Sequence, residues 1–337
     1  MKTVAKMDKN DREALFAGTA AKLRISPSIV EKDFWVCYLL DYLFHQGPWR
    51  SAFVFKGGTS LSKAYHVISR FSEDIDLILD WRLIDYSDEE AWAERSRTSQ
   101  DKVGKEMIKD ASIFLEEKFL PELVSGLSKE LGYPVLVKMD EYDSDRCTVN
   151  VFYDHVFSDQ YLRPEIRLEI GPLAEWTPSH SQEIRPFAAE QYPHLFRQAS
   201  TSVRTVDVER TFWEKILILH KTAYSSKEKD IPPRYARHYY DVYCLYKAGI
   251  VKQALNRLDL LERDVRFKKK FYYSKGARYD LAILGSICLI PEGGDAQMQL
   301  SLDYEKMKEM IYGEIPSYEE IMHVLKTLQV EINSLVQ

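Results

Sequence analysis

The spacing of apolar residues along the chain switches between a helical and an alternating period, and this switch divides the sequence into two parts. In residues 1–205, helical stretches are mixed with short alternating or fully apolar runs that indicate strands. Beyond residue 205 the spacing is helical almost throughout. The pattern therefore predicts an α+β first domain over residues 1–205 and a mainly α-helical second domain over residues 206–337.

The individual elements follow from these periods and from the glycines and prolines that interrupt them. The first domain is predicted to contain helices within 8–47, near 59–68 and over 99–131, with strands near 53–55, 74–77, 133–139, 147–153, 162–170 and 202–206. Pro121 is expected to kink or divide the long helix. The second domain is predicted to contain helices near 208–225, 234–248, 251–272, 303–312 and 317–335. Prolines between residues 172 and 193 predict an irregular connection.

Two carboxylates lie two positions apart on the strand predicted near 74–77. Asp74 and Asp76 therefore share one face, while Ile75 and Leu77 face the apolar side. Carboxylate oxygens are ligands that Mg²⁺ prefers, and Mg²⁺ accompanies nucleotide phosphates. An exposed polar strand face has the same spacing, so this pair is not specific by itself.

The turn before that strand combines glycines with hydroxyl residues. Main-chain N–H groups at the start of a helix bind phosphate, and the hydroxyls of Thr59 and Ser60 either bind phosphate or cap the helix. Strand, glycine turn, short helix and returning strand bring the turn and the carboxylates to one edge. Arg70 is expected either to stabilise the triphosphate or the metal site, or to form a salt bridge with Glu73 or Asp74. The residues predicted to contact a nucleoside triphosphate are Lys56, Gly57, Gly58, Thr59, Ser60 and Arg70.

Several separated blocks of the sequence resemble the AbiEii family of nucleotidyltransferase toxins, within the DNA polymerase β-like nucleotidyltransferases. They occur in the order of the family and span roughly residues 29 to 312. The blocks are Val30–Trp35, Phe55–Lys63, Arg70–Leu77, Arg210–His220, Arg237–Leu245 and Asp303–Met307. The resemblance implies a mixed sheet with flanking helices, whose active site is completed by the helical C-terminal domain.

The resemblance also implies roles for particular residues. Asp74, Asp76 and Glu169 are expected to bind two Mg²⁺ ions. Glu165 lies earlier on the face of Glu169, so it stays open as the third ligand, and either glutamate could instead pair with Arg163 or Arg167. Lys215 is expected to contact phosphate, although a lysine there could also extend along the surface. Asp241 is expected to orient or deprotonate the acceptor hydroxyl, or to pair with Arg237 four positions earlier.

The charged triplet Glu31-Lys32-Asp33 interrupts a largely apolar helix. One interpretation is an exposed helical turn. The other, which depends mainly on the resemblance, is that Lys32 reaches toward the nucleotide.

Length and composition exclude several other classes. The 337 residues have room for two domains and an extended core. No apolar run approaches the roughly 20 residues that cross a membrane, and no secretory signal is apparent. The four cysteines lie far apart without a C-x-x-C pair, which predicts reduced thiols, no structural zinc and a cytoplasmic location.

The net charge of −6 does not indicate a nucleic-acid-binding protein, but residues 251–280 carry an excess of Lys and Arg interleaved with aromatic residues. Such a segment suits a phosphate backbone and stacked bases, or it is a solvated helix face with core aromatics. The resemblance implies a toxin with an antitoxin encoded nearby, in a bacterial toxin–antitoxin or phage-defence system, and the 3′ end of tRNA as acceptor. Alternatives are transfer to a protein or small-molecule hydroxyl, and a nucleotide-binding partner protein without turnover.

Overall fold

The computed structural model describes residues 1–159, 162–227 and 229–335, which form two compact units. The first contains Met1–Tyr65 and Ser72–Val206, and the second contains His66–Phe71 together with the chain from Asp207 onward. The chain therefore passes between units after Tyr65, Phe71 and Val206, whereas the sequence suggested one passage near residue 205.

A mixed seven-stranded sheet forms the centre of the first unit, with the strand order β3-β4-β5-β2-β1-β7-β6. β2 is antiparallel to β1 and parallel to β5, and β1 is parallel to β7. The strands are β1 Phe53–Lys56, β2 Asp74–Leu79, β3 Val137–Met139, β4 Thr148–Phe152, β5 Glu165–Gly171, β6 Ser179–Ile184 and β7 Thr201–Val206. Three neighbouring strands therefore carry the features of interest: β1 leads into the glycine turn, β2 carries the two aspartates and β5 carries Glu169. The predicted α+β class is confirmed.

The helices of the first unit are α1 Lys2–Ala5, α2 Lys9–Leu23, α3 Pro27–Asp41, α4 Gly57–Lys63, α5 Asp88–Trp92, α6 Arg97–Phe114, α7 Leu120–Leu131 and α8 Phe187–Gln191. Asp8 caps α2 by accepting from the N–H of Asp11, and Pro27 occupies the first position of α3. A π-helical turn over Leu115–Phe119 separates α6 from α7 just before Pro121, because proline cannot supply the N–H that a continuous helix needs.

The connection predicted to be irregular after Pro172 contains β6 and α8. β6 pairs with β7 over its full length, from Ser179 opposite Val206 to Ile184 opposite Thr201. Its residues are mostly polar and it lies at the edge of the sheet, so it has no alternation of apolar and polar residues. The prediction of an irregular segment is wrong because the strand is defined by its partner.

The charged triplet of α3 is buried, so its interpretation as an exposed turn is wrong. The Glu31 carboxylate accepts from the main-chain N–H groups of Val156 and Phe157, and Lys32 Nζ lies 2.8 Å from Glu73 Oε2. Asp33 pairs with Lys63 at 2.7 Å. Each of these charged side chains contacts a segment that is distant in sequence. A local sequence pattern cannot reveal such a contact.

The regular elements that the structure describes between Asp207 and Leu335 are helices, joined by irregular segments. Its helices are α9 Val208–Ser225, α10 Ala236–Lys247, α11 Ile250–Leu255, α12 Leu258–Phe271, α13 Gly294–Met307 and α14 Tyr318–Asn333. The helix predicted over 251–272 is thus divided, and α13 begins earlier than predicted. The segment His66–Phe71 joins this unit through main-chain bonds from Phe71 N–H to Met310 and from Tyr312 N–H to Ser69.

None of the helices in the described ranges is long and apolar enough to cross a membrane. All four cysteines are free thiols; Cys37 is buried, and Cys147, Cys244 and Cys288 are half-buried.

Candidate active site

Two rows of polar side chains cross one face of the central sheet of the first unit. Paired residues on neighbouring strands point to the same side, and alternate residues of a strand point to opposite sides. One row contains Lys56, Asp76, Glu169 and Thr148, and the next contains Asp74, Arg167, Asn150 and Lys138. The opposite face carries the buried Ile75, Leu77 and Leu168. Both aspartates and Glu169 therefore lie on one face, in adjacent strands.

Gly57 makes room for Asp76. Its φ is +79°, and a Cβ added there would lie 1.8 Å from Asp76 Oδ2. A side chain would thus clash with the carboxylate and would also be strained in the left-handed region. The glycine turn is therefore required for the aspartate beside it, independently of any phosphate.

The hydroxyls of Thr59 and Ser60 are buried and engaged inside the protein. Thr59 Oγ1 lies 2.5 Å from the carbonyl oxygen of Asp74 and 3.2 Å from that of Ser72, so its single proton serves the start of β2. Ser60 Oγ donates to the carbonyl of Gly57 at 2.8 Å, and neither hydroxyl caps α4. The structure therefore gives Thr59 a role in placing Asp74.

The guanidinium of Arg167 lies among the carboxylates of the same face. Its Nε is 3.7 Å from Asp74 Oδ1, its Nη2 is 3.7 Å from Glu169 Oε1, and its Nη1 is 3.1 Å from Asp140 Oδ2. Glu165 lies 3.9 Å from Arg163 and pairs with Phe152 of β4, whereas Glu169 is level with Asp76. Both ion pairs that the sequence offered as alternatives are thus present. The pairing of β2 with β5 places Glu169, and not Glu165, directly opposite Asp76.

Among the residues that the structure describes, no three His, Cys, Asp or Glu side chains are gathered around a point that could hold a metal ion. The chemistry of the donors fits Mg²⁺ nonetheless, because Asp74, Asp76 and Glu169 supply carboxylate oxygens from one face. The predicted ligands therefore share one face of the sheet, and the guanidinium of Arg167 lies near two of them, Asp74 and Glu169.

In the second unit, Asp241 is fully buried between two cations. Its oxygens accept from Arg70 Nε at 2.7 Å and Nη2 at 2.9 Å, and from Lys215 Nζ at 2.8 Å. Lys215 Nζ also lies 3.1 Å from His238 Nδ1. The partners of Asp241 are thus Arg70 and Lys215, where the sequence alternative named Arg237. Three predicted site residues meet here, although Arg70 is distant in sequence from the other two.

The charges of this cluster are set by its surroundings. Burial alone would raise the pKa of Asp241, but the charges of Arg70 and Lys215 outweigh it and hold the pKa well below its usual range. Burial and the charge of Lys215 lower the pKa of His238 well below its ordinary value. The cluster contains two cations, one carboxylate and a neutral imidazole, which leaves one excess positive charge. Such a carboxylate is suited to holding cations and poorly suited to accepting a proton.

Asp303 fixes the start of α10, the helix that carries His238 and Asp241. Its two oxygens accept from the main-chain N–H groups of Arg234 at 2.7 Å and Ala236 at 2.8 Å. Arg234 has a φ of +66°, so the chain turns sharply where the carboxylate holds it. Sequence patterns assigned no role to His238 or Asp140. They placed Asp303 only in a block that resembles the family, and Arg167 only as an ion-pair partner of a glutamate. The only local signal was the presence of Arg167 on the face of Glu169.

The basic and aromatic segment after residue 262 combines core and surface residues. Phe267 is buried, while Tyr272 and Tyr273 are 46% and 47% exposed. Lys268 Nζ lies 4.7 Å from the centre of the Tyr272 ring. Asp264 is buried against Arg210. Phe267 therefore fits the prediction of a core aromatic residue, whereas Tyr272 and Tyr273 are exposed, as the prediction of a nucleic-acid surface requires.

A mixed sheet that presents paired aspartates beside a glycine turn is the arrangement that the resemblance to nucleotidyltransferases led us to expect. A sequence profile described as "Nucleotidyl transferase AbiEii toxin, Type IV TA system" matches residues 39–326. The chain belongs to this family of nucleotidyltransferase toxins, which confirms both the resemblance and the enzyme class.

Two solved structures are similar over most of their length. MenT4, a nucleotidyltransferase toxin from Mycobacterium tuberculosis H37Rv, is 12% identical, with a TM-score of 0.42 over 96% of this chain and 99% of that one. JHP933 from Helicobacter pylori is 15% identical, with a TM-score of 0.34 over 90% of this chain and 99% of that one. No curated protein matches the chain.

Proposed function

We propose that the protein transfers a nucleoside monophosphate from an NTP to the 3′ end of tRNA, in a reaction that requires Mg²⁺. The observation that carries this proposal is the register that aligns Asp76 with Glu169, beside Gly57 and two residues from Asp74. Family membership supplies the reaction class. The acceptor and the metal are the parts that the experiments below test.

Asp74, Asp76 and Glu169 would hold the metal, which when bound supplies charge stabilisation to the reacting phosphates. Main-chain N–H groups of the first turn of α4 have no acceptor within the helix, and we propose them as phosphate contacts in place of the engaged hydroxyls. The acceptor oxygen attacks the α-phosphorus and loses its proton to solvent, and the bond to the departing pyrophosphate breaks. Positioning of charged groups accounts for most of the catalysis in such reactions.

The roles of Lys215 and Asp241 follow from their cluster. An excess positive charge favours contact with the triphosphate or with the departing pyrophosphate, which we propose for Lys215. Because its carboxyl pKa is depressed, we assign Asp241 an orienting role and no proton transfer.

An RNA acceptor is supported by the second unit. Arg263, Arg266, Lys268, Lys269 and Lys270 lie on α12, and the half-exposed Tyr272 and Tyr273 follow directly. Basic groups beside exposed aromatic rings bind a phosphate backbone and stack with unpaired bases, as at a single-stranded 3′ end.

The decisive test is incubation of the purified protein with total tRNA, Mg²⁺ and each α-labelled NTP in turn. Label should enter tRNA with the wild type and with Asp85→Asn, an exposed acid in the same unit whose φ of +65° suits asparagine. It should not enter with Asp76→Asn. Pyrophosphate release without labelled tRNA would move the acceptor to a protein or small molecule, and full activity of Asp76→Asn would overturn the proposal.

The RNA surface is tested separately by changing Lys268, Lys269 and Lys270 together to Gln. For each lysine that neutralises a phosphate, the change should reduce the slope of log K against log salt by about 0.7. A matched control changes the exposed Lys102, Lys105 and Lys109 of α6 in the same way and should leave tRNA binding unchanged.

As a member of a type IV toxin–antitoxin family, the protein is expected to have an antitoxin encoded nearby. Direct contact between this antitoxin and the toxin is not implied by the family, and co-expression of the two proteins tests for it. Rescued growth without a complex would show that contact is not needed, and a stable complex would show direct contact.

A further inference from the structure

The guanidinium of Arg167 makes one close contact, with Asp140, and two longer ones, with Asp74 and Glu169. Its contact with Asp140 is within hydrogen-bond range at 3.1 Å, whereas its distances of 3.7 Å to Asp74 and Glu169 are longer than a hydrogen bond. The arginine side chain is 38% exposed, so solvent reaches it.

Asp140, in contrast, is fixed. Its side chain is 3% exposed, and its Oδ1 accepts from the N–H of Tyr142 at 2.8 Å. Its own N–H donates to the carbonyl of Thr148 at 2.8 Å, which ties it to the start of β4. A buried carboxylate requires a counter-charge, and Arg167 supplies it.

We propose that Arg167 is a positioning residue that controls metal entry, with Asp140 as its buried anchor. The guanidinium offsets the repulsion between Asp74 and Glu169 in the free enzyme. With a divalent ion on these carboxylates, Asp140 would retain the guanidinium. This inference rests on the proposed metal-dependent function. It makes the free enzyme a weak metal binder, so that the metal enters together with the negatively charged nucleotide.

The reason is electrostatic. A positive charge a few ångströms from the carboxylates repels a divalent ion even when screening by the protein is strong. Removing the anchor draws the guanidinium toward Asp74 and Glu169, and removing the guanidinium takes its positive charge away from them. The two changes should therefore alter metal affinity in opposite directions, whereas disruption of a purely structural ion pair should weaken binding in both.

The experiment measures Mn²⁺ binding by electron paramagnetic resonance, without nucleotide, after thermal melts have shown that each variant folds. Arg167→Met should bind Mn²⁺ roughly tenfold more tightly than the wild type. Arg167→Lys should stay near the wild type. Asp140→Asn should bind several-fold more weakly, and the double variant Asp140→Asn/Arg167→Met should match Arg167→Met.

Arg163→Met is the matched control, because it removes a 77% exposed arginine near the start of β5. It should leave Mn²⁺ affinity unchanged. Equal or weaker binding by Arg167→Met would overturn the inference while leaving the proposed function intact. If the wild type failed to bind Mn²⁺ even with a non-hydrolysable NTP analogue, the proposed metal-dependent function and this inference would both be wrong.

Discussion

Among single residues, the first unit uses small groups to place its carboxylates. Gly57 leaves space for Asp76, and the hydroxyl of Thr59 holds the main chain at Asp74. The sequence singled out both residues as phosphate contacts, and those roles stay predictions. Their structural roles were hidden because the groups they contact lie on the returning strand.

Replacement of Gly57 by Ala should abolish transfer, because the added Cβ overlaps the Asp76 carboxylate. The backbone strain at positive φ adds about 1–2 kcal/mol to the cost. Gly132→Ala is a matched control in the same unit, with a φ of +86° and nothing within 4 Å of the added atom. In urea unfolding, Gly132→Ala should lose only the stability that the backbone strain costs, and Gly57→Ala should lose more because of the added overlap. Retention of transfer by Gly57→Ala would contradict the steric role.

Thr59→Val preserves shape but removes the hydroxyl that Asp74 requires. Loss of the buried hydrogen bond should lower the free energy of unfolding by about 1–3 kcal/mol, and a shifted Asp74 should reduce kcat. Thr59→Ser keeps the hydroxyl and should retain most activity. Urea unfolding and single-turnover kinetics distinguish the two, and equal kcat values for Val and Ser would exclude this role.

Among helices and strands, most boundaries followed from local periods, and the exceptions have identifiable causes. α9 begins and ends as predicted at Val208 and Ser225 because its apolar spacing is uninterrupted. β6 escaped prediction because its polar residues gain order only by pairing with β7. α10 depends on a residue far along the chain, since its first turn is held by Asp303.

Asp303→Ala should loosen the start of α10 and with it the Asp241 cluster. Two charge-assisted hydrogen bonds are removed, so the free energy of unfolding should fall by about 1.5–3 kcal/mol. Asp295→Ala, at the exposed start of α13, is the matched control and should be nearly neutral. Circular dichroism during urea unfolding measures both, and an unaffected Asp303→Ala would show that α10 is fixed by packing alone.

For the protein as a whole, stability should depend on pH through His238. Its pKa is lowered in the folded state, so below the ordinary value of 6.5 the unfolded chain binds a proton that the folded chain does not. Stability should therefore fall as the pH drops from that value toward the lowered folded pKa, by at most about 1.4 kcal/mol per pH unit.

His238→Asn keeps an acceptor for Lys215 and removes the titration. Its urea midpoint should change less between pH 7.5 and 5.5 than that of the wild type. His323→Asn, an exposed histidine of α14, serves as the control and should keep the wild-type dependence. Identical pH profiles for His238→Asn and the wild type would rule out His238 as the source.

Features that depend on near neighbours could be predicted from the amino-acid sequence. Alternation put Asp74 and Asp76 on one face, the glycines marked the turn, and the separated motifs identified the family, because each signal lies within a few residues. Which charges meet was decided instead by the folded chain. Arg70 contacts Asp241, Arg167 contacts Asp140, and the triplet at Glu31 is buried against distant segments. Ion pairs act through space, so residues far apart in sequence become partners only when the fold brings them together.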